Sequence, residues 1–133
     1  MKRFDVQSIG IERPAETVFQ FVADPTNLPK WTHAFRRADT QSAELATPNG
    51  GIAIKLETVT DRDRGTVDWR MTFPDGTIGT AFSRITPDGA DRSIYSFVLM
   101  APPVSLEQLE GALVEQMATL ARELVALKAR LER

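Results

Sequence analysis

The sequence contains no cysteine, which removes disulfides, thiolate nucleophiles and cysteine-ligated metals together. It contains one histidine, His33, so a metal site built from several imidazoles is excluded and no metal or cofactor is expected. An excess of one charge is also missing: 16 Lys and Arg stand against 18 Asp and Glu, a net charge of -2. Nucleic-acid binders and polybasic membrane-surface proteins carry a basic excess, so neither kind of partner is expected. Long apolar runs are lacking. The densest, Phe97 to Val104, is interrupted by Pro102 and Pro103, whereas a membrane-spanning helix needs about 20 mostly apolar residues, so no membrane insertion is expected. The opening MKRFDVQSIGIE has no apolar core behind its basic pair. A secretory leader is therefore not expected, and the cytoplasm is the expected compartment. No G-x-S-x-G nucleophile elbow occurs, and Gly50-Gly51 reads as a hairpin tip with no helix behind it to cradle a phosphate.

What is present is ordinary globular composition, 42% apolar and 26% charged over 133 residues, the length of a single domain, 1–133. Phe4 to Ile11 reads as a strand. Pro14 and Glu16 then open a helix whose apolar stripe is Val18, Phe19, Val22 and Ala23, stopped by Asp24-Pro25. Thr26 to Trp31 is too short for more than a helical turn. From His33 to Met100, turn residues punctuate stretches rich in β-branched and aromatic side chains. The turns are Pro48-Asn49-Gly50-Gly51, Asp61 to Gly65, Pro74-Asp75-Gly76 and Pro87-Asp88-Gly89. They predict six antiparallel strands near 34–40, 42–47, 52–60, 65–73, 77–85 and 92–100. After Pro103, leucines and Met117 recur every three or four residues to Leu131, which predicts one long helix. Ser105 and Gln108 form its capping box, and Gly111 is its one interior breaker. Strand, short helices, meander and long helix make an α+β domain.

The segment Ile9-Gly10-Ile11-Glu12-Arg13-Pro14-Ala15-Glu16-Thr17-Val18-Phe19-Gln20-Phe21-Val22-Ala23-Asp24-Pro25, followed by Leu28-Pro29-Lys30-Trp31, resembles the opening of the START-like, helix-grip or SRPBCC superfamily. Arg13 stands where alanine is commoner. That superfamily includes the birch pollen allergen, lipid-transfer domains and polyketide cyclase/dehydrase proteins, and the likeness extends over the whole chain. It implies a helix-grip fold: a curved antiparallel sheet of about seven strands wrapped around the C-terminal helix, two short helices after the first strand, and a cavity between sheet and helix. It implies a small hydrophobic, lipid- or polyketide-like molecule in that cavity. A cyclase or dehydrase acting there and an interaction module without ligand are the alternatives.

Strand alternation then suggests what lines the cavity. Val67, Trp69, Met71 and Phe73 share one face, as do Ile52, Ile54 and Leu56. For the next two strands the inward sets are taken as Ile78, Thr80, Phe82 and Arg84, and Tyr95, Phe97 and Leu99. The expected ligand-contacting residues are Trp31, Ile54, Leu56, Trp69, Met71, Phe82, Tyr95, Phe97, Leu113 and Met117. For an enzyme, His33 is the candidate acid or base, and Arg84 and Tyr95 are candidates to position an oxygen. For each, a bland role competes: a loop histidine, an outward arginine and a core tyrosine. The terminal helix is expected to pack on the sheet, with its last turns overhanging it and open to a homodimer partner.

Overall fold

A computed structural model describes residues 3–47 and 50–133. The Pro48-Asn49 part of the first predicted turn, and the side chain of Leu109 in the predicted stripe, lie outside the described residues. Among the described residues, seven strands form one antiparallel sheet. They are β1 (Phe4–Ile11), β2 (Phe35–Ala38), β3 (Ser42–Thr47), β4 (Gly50–Asp61), β5 (Thr66–Thr72), β6 (Ile78–Pro87) and β7 (Ser93–Met100), in the spatial order β1-β7-β6-β5-β4-β3-β2. Strands β2 to β7 run as a meander. β1 closes the far side by pairing with β7 in unbroken register from Phe4↔Met100 to Ile11↔Ser93.

Helix α1 (Ala15–Ala23) follows β1, with Val18 and Val22 buried as the stripe predicts. A 3-10 turn (Pro25–Asn27) and the single turn α2 (Leu28–Trp31) lead into β2. The Asp24 side chain accepts from the Thr26 amide at 3.0 Å, so Asp24 both ends α1 and starts the next turn.

The predicted long helix is two helices, α3 (Val104–Glu110) and α4 (Leu113–Leu131). Gly111 adopts φ 87°, a backbone conformation that glycine reaches at no steric cost and that ends a helix. A residue read as a tolerated interior breaker is thus a chain break. Ser105 does not cap α3 either. Its hydroxyl donates to the Asp75 carboxylate and lies 3.0 Å from the Thr77 hydroxyl, tying α3 to the turn between β5 and β6.

On α4, Gln116, Leu120, Leu124 and Leu127 are buried at helical spacing. The last turns do not overhang the sheet as expected. Lys128 Nζ donates to the Gly10 carbonyl at 2.8 Å, Glu132 accepts from the Glu12 amide at 2.7 Å, and the Arg130 guanidinium lies over the Phe21 ring. Among the described residues no helix is long and apolar enough to cross a membrane.

The inward face of β6 is the reverse of the one expected. Gly79, Ala81, Ser83 and Ile85 face the helices, while Arg84 and Phe82, the last 40% exposed, face out; of the expected inward set, Ile78 and Thr80 near the start of the strand border the space beneath the helices. Register gives the reason. Trp69 on β5 pairs with Ala81, and Phe97 on β7 pairs with Ser83. The two rings stack at 5.9 Å over these small β6 residues. Large side chains at the inward β6 positions would fill the space the rings occupy, so the strand turns its bulkier set outward.

Candidate functional site

A cavity of about 450 Å³ lies between the sheet and the two C-terminal helices. Its floor is Trp69 and Met71 from β5, Ala81 from β6, and Phe97 and Leu99 from β7. Alternation on strands with fixed register aims all five the same way. One wall is Leu28, Trp31, Thr32 and His33, held there because the 3-10 turn and α2 fold the chain back before β2. The roof is Leu106 and Glu110 from α3, with Gln116, Thr119, Leu120 and Glu123 from α4. Ala101, Pro102 and Pro103 form part of the rim.

Of the expected contact residues, Trp31, Trp69, Met71 and Phe97 line this cavity. Tyr95 is completely buried behind it, edge-on to Trp31 at 6.2 Å and to Phe97 at 6.4 Å. Ile54 and Leu56 are buried in the core but do not border the cavity. Phe82 is on the opposite face of the sheet, for the register reason given above. Leu113 and Met117 are half-buried and turned aside: the Met117 carbonyl accepts from the Gln7 side chain, on the β1 side of the helix. The residues of α4 that look into the cavity are Gln116, Thr119, Leu120 and Glu123 instead.

The three residues considered for chemistry separate. His33 is exposed at the cavity mouth, and its amide donates to Glu123 Oε2 at 2.6 Å. Arg84 is on the outer face and reaches nothing in the cavity. The Tyr95 hydroxyl is sealed from solvent with no partner at hydrogen-bond distance among the described residues, and burial pushes its phenol above the usual range, with the Ser83 hydroxyl acting in the opposite sense.

Two groups that sequence reasoning missed are the carboxyls of Glu110 and Glu123. Both border the cavity. Burial pushes each up to about 7 from an ordinary value near 4.5. For Glu110 the neighbouring Glu123 charge adds to the rise; for Glu123 the His33 amide and Arg122 hold it back in part. Charged residues on an amphipathic helix read as a solvated face. The signal that separates these two is spacing: Glu110 lies four residues after Leu106, and Glu123 lies three after Leu120, which places each on its helix's apolar side.

A curled antiparallel sheet gripping a C-terminal helix over an aromatic-walled cavity defines a START-like, helix-grip protein. Residues 6–132 match the family model described as polyketide cyclase / dehydrase and lipid transport, and the chain belongs to that family. No curated protein sequence matches it. Solved structures share the fold at low identity. Protein CV1439 from Chromobacterium violaceum aligns at TM-score 0.73 and 14% identity, covering 99% of both chains. A START superfamily protein from Mycobacterium smegmatis aligns at TM-score 0.67 and 17% identity, covering 98% of both. The Zhui aromatase/cyclase from Streptomyces sp. R1128 aligns at TM-score 0.67 and 13% identity, covering 98% of this chain and 94% of that one. The di-domain aromatase/cyclase BexL aligns at TM-score 0.68 and 16% identity, and this chain spans 47% of its length.

Proposed function

We propose that this protein binds a small apolar or aromatic molecule in the cavity between the sheet and the C-terminal helices. The observation that carries this reading is the cavity itself. At about 450 Å³ it falls within the size range of small-molecule sites, and its walls are Trp31, Trp69, Phe97, Met71 and Leu106, with a few polar groups grouped on one side. A domain that needed only a filled core would close that space with larger side chains at Ala81 or Thr119.

Tryptophan emission tests it. Neutral naphthalene should quench or shift the fluorescence saturably, and Trp69→Phe and Trp31→Phe should each remove part of the signal, since both indoles line the cavity. Native mass spectrometry of the purified protein, with extraction of any retained molecule, addresses identity. No saturable change in either tryptophan, together with an empty protein by mass spectrometry, would refute the reading and favour an interaction module.

A second reading, an enzyme of cyclase or dehydrase type, is supported by Glu110 and Glu123. Carboxyls that titrate near neutrality beside an apolar cavity suit proton transfer in both directions. In that reading they take the place of Arg84 and Tyr95, one on the wrong face and the other sealed away from the cavity.

A further inference from the structure

The charge on the cavity lining is one-sided, while its unpaired donors lie on other walls: the indole N–H groups of Trp31 and Trp69 are buried and find no partner among the described residues. Among the described residues no Lys or Arg borders it, and the carboxyls on it are those of Glu110 and Glu123. The Glu110 carboxyl makes no hydrogen bond or ion pair with any described residue. Glu123 accepts a single hydrogen bond, from the His33 amide. Between the two, Gln116 borders the same space although only 7% of it is exposed. Its Nε2 donates to the Gly111 carbonyl at 3.1 Å, and its Oε1 accepts from no described residue. The helix side of the cavity therefore presents acceptors in excess, two of them able to carry negative charge.

We propose that the cavity is selective for apolar molecules bearing a protonated amine, with Glu110, Glu123 and the Gln116 side-chain oxygen holding the ammonium group and Trp31, Trp69 and Phe97 holding the apolar body. This deepens, and rests on, the reading of the cavity as a small-molecule site. An ammonium group has three donors and no acceptor, the complement of the helix side of the cavity, while the unpaired indole N–H groups lie on the opposite walls. It also supplies a counter-charge that no Lys or Arg of the lining supplies, since Arg122 acts on Glu123 alone and from outside the cavity. Two neighbouring carboxylates in a poorly solvated space repel each other and lose hydration, so the empty protein relieves the cost by taking up protons. A bound cation does the same work and releases them. The aromatic walls add to the preference, because the face of an indole attracts a cation. An anionic ligand meets repulsion, and a neutral one leaves the carboxyls as they were.

The test compares three probes of nearly one shape by isothermal titration calorimetry: 2-naphthylmethylamine, 2-naphthylmethanol and 2-naphthoate. At pH 8 and low salt the amine should bind at least tenfold tighter than the alcohol, with the naphthoate weakest. Lowering the pH to 5.5 protonates the two glutamates while the amine stays charged, so its advantage over the alcohol should shrink at least tenfold. The other charged or titratable groups near them are His33 from the loop after α2, Lys30 from α2, Arg122 on α4 and Tyr95 from β7. Repeating the pH comparison in His33→Gln removes the imidazole's share and should preserve the trend. The Glu110→Gln/Glu123→Gln double variant should bind amine and alcohol about equally at pH 8. The pH comparison uses the parent chain and needs no variant. If the parent binds amine and alcohol within twofold at pH 8, or the alcohol tighter, the cation preference is refuted while the cavity reading stands. If none of the three binds, both fall.

Discussion

Truncating Leu127 to alanine should cost about 3–5 kcal/mol, and truncating Leu120 only about 2–3 kcal/mol, although the two leucines share one face of α4. The difference comes from what surrounds each. Leu127 has 0% of its surface exposed and does not border the cavity, so its neighbours pack it on every side and alanine leaves a new closed void. Leu120 is 3% exposed and forms part of the wall of the 450 Å³ cavity. Its missing methyl groups enlarge a space that already exists, which leaves mainly the transfer cost. Leu113, half-buried and off the cavity, should cost less than either. Against a total stability of about 5–15 kcal/mol for a domain, the Leu127 loss is large enough to read with confidence by urea unfolding followed by tryptophan emission. The three curves must share one m-value for the comparison to hold. A Leu120→Ala loss equal to or greater than that of Leu127→Ala would refute the placement of the cavity against α4. A loss under about 1 kcal/mol for Leu127→Ala would refute the docking of the last helical turns.

The backbone and the buried carboxyls supply two more expectations. Gly65 adopts φ 72° in the turn between β4 and β5, and a Cβ there would stand 2.3 Å from the Ile85 carbonyl oxygen. Gly65→Ala should therefore destabilise by about 2–3 kcal/mol by the same assay, from the left-handed backbone cost plus displacement of β6; a change below 0.5 kcal/mol, on the order of a neutral surface substitution, would contradict that close approach. Glu110 and Glu123, raised to about 7 in the folded chain, keep protons between pH 4.5 and 7 that the unfolded chain has released. Their contribution to stability is present below about pH 4.5 and is lost as the pH rises through about 7, by at most about 3 kcal/mol per group. Thermal unfolding of the ligand-free protein should accordingly show a midpoint falling from pH 5 to pH 8, and Glu110→Gln/Glu123→Gln should flatten it; an unchanged slope in that variant would show the carboxyls to be ordinary and solvated.

Local pattern was enough for most of the elements. The Asp61–Gly65, Pro74–Gly76 and Pro87–Gly89 turns place strands close to their observed limits because glycine's freedom at positive φ and proline's fixed φ act over four residues and need no tertiary partner. Val18 and Val22 on α1, and Trp69 and Met71 on β5, were legible for the same reason: each lies on a stretch where only one face is apolar. The family resemblance supplied the cavity, which no periodicity contains.

What only the tertiary structure decided is how neighbouring elements share space. β6 carries apolar side chains on both faces, Ile78 and Phe82 on one, Ala81 and Ile85 on the other, so hydrophobicity alone favours the bulkier set. The rings of Trp69 and Phe97, stacking from β5 and β7, exclude it, and that contact joins residues 28 positions apart in sequence. Gly111 illustrates the same limit within a helix: as sequence it is a residue of low helical propensity, and in the structure its φ of 87° ends α3, while Ser105, read as a cap, is held by Asp75 and Thr77 across the fold. Glu110 and Glu123 look like solvated charges until α3 and α4 close over the sheet and turn them into the cavity. Their chemistry comes from lost hydration, a property of the surroundings that assembly creates and that a carboxyl's place in the chain does not carry.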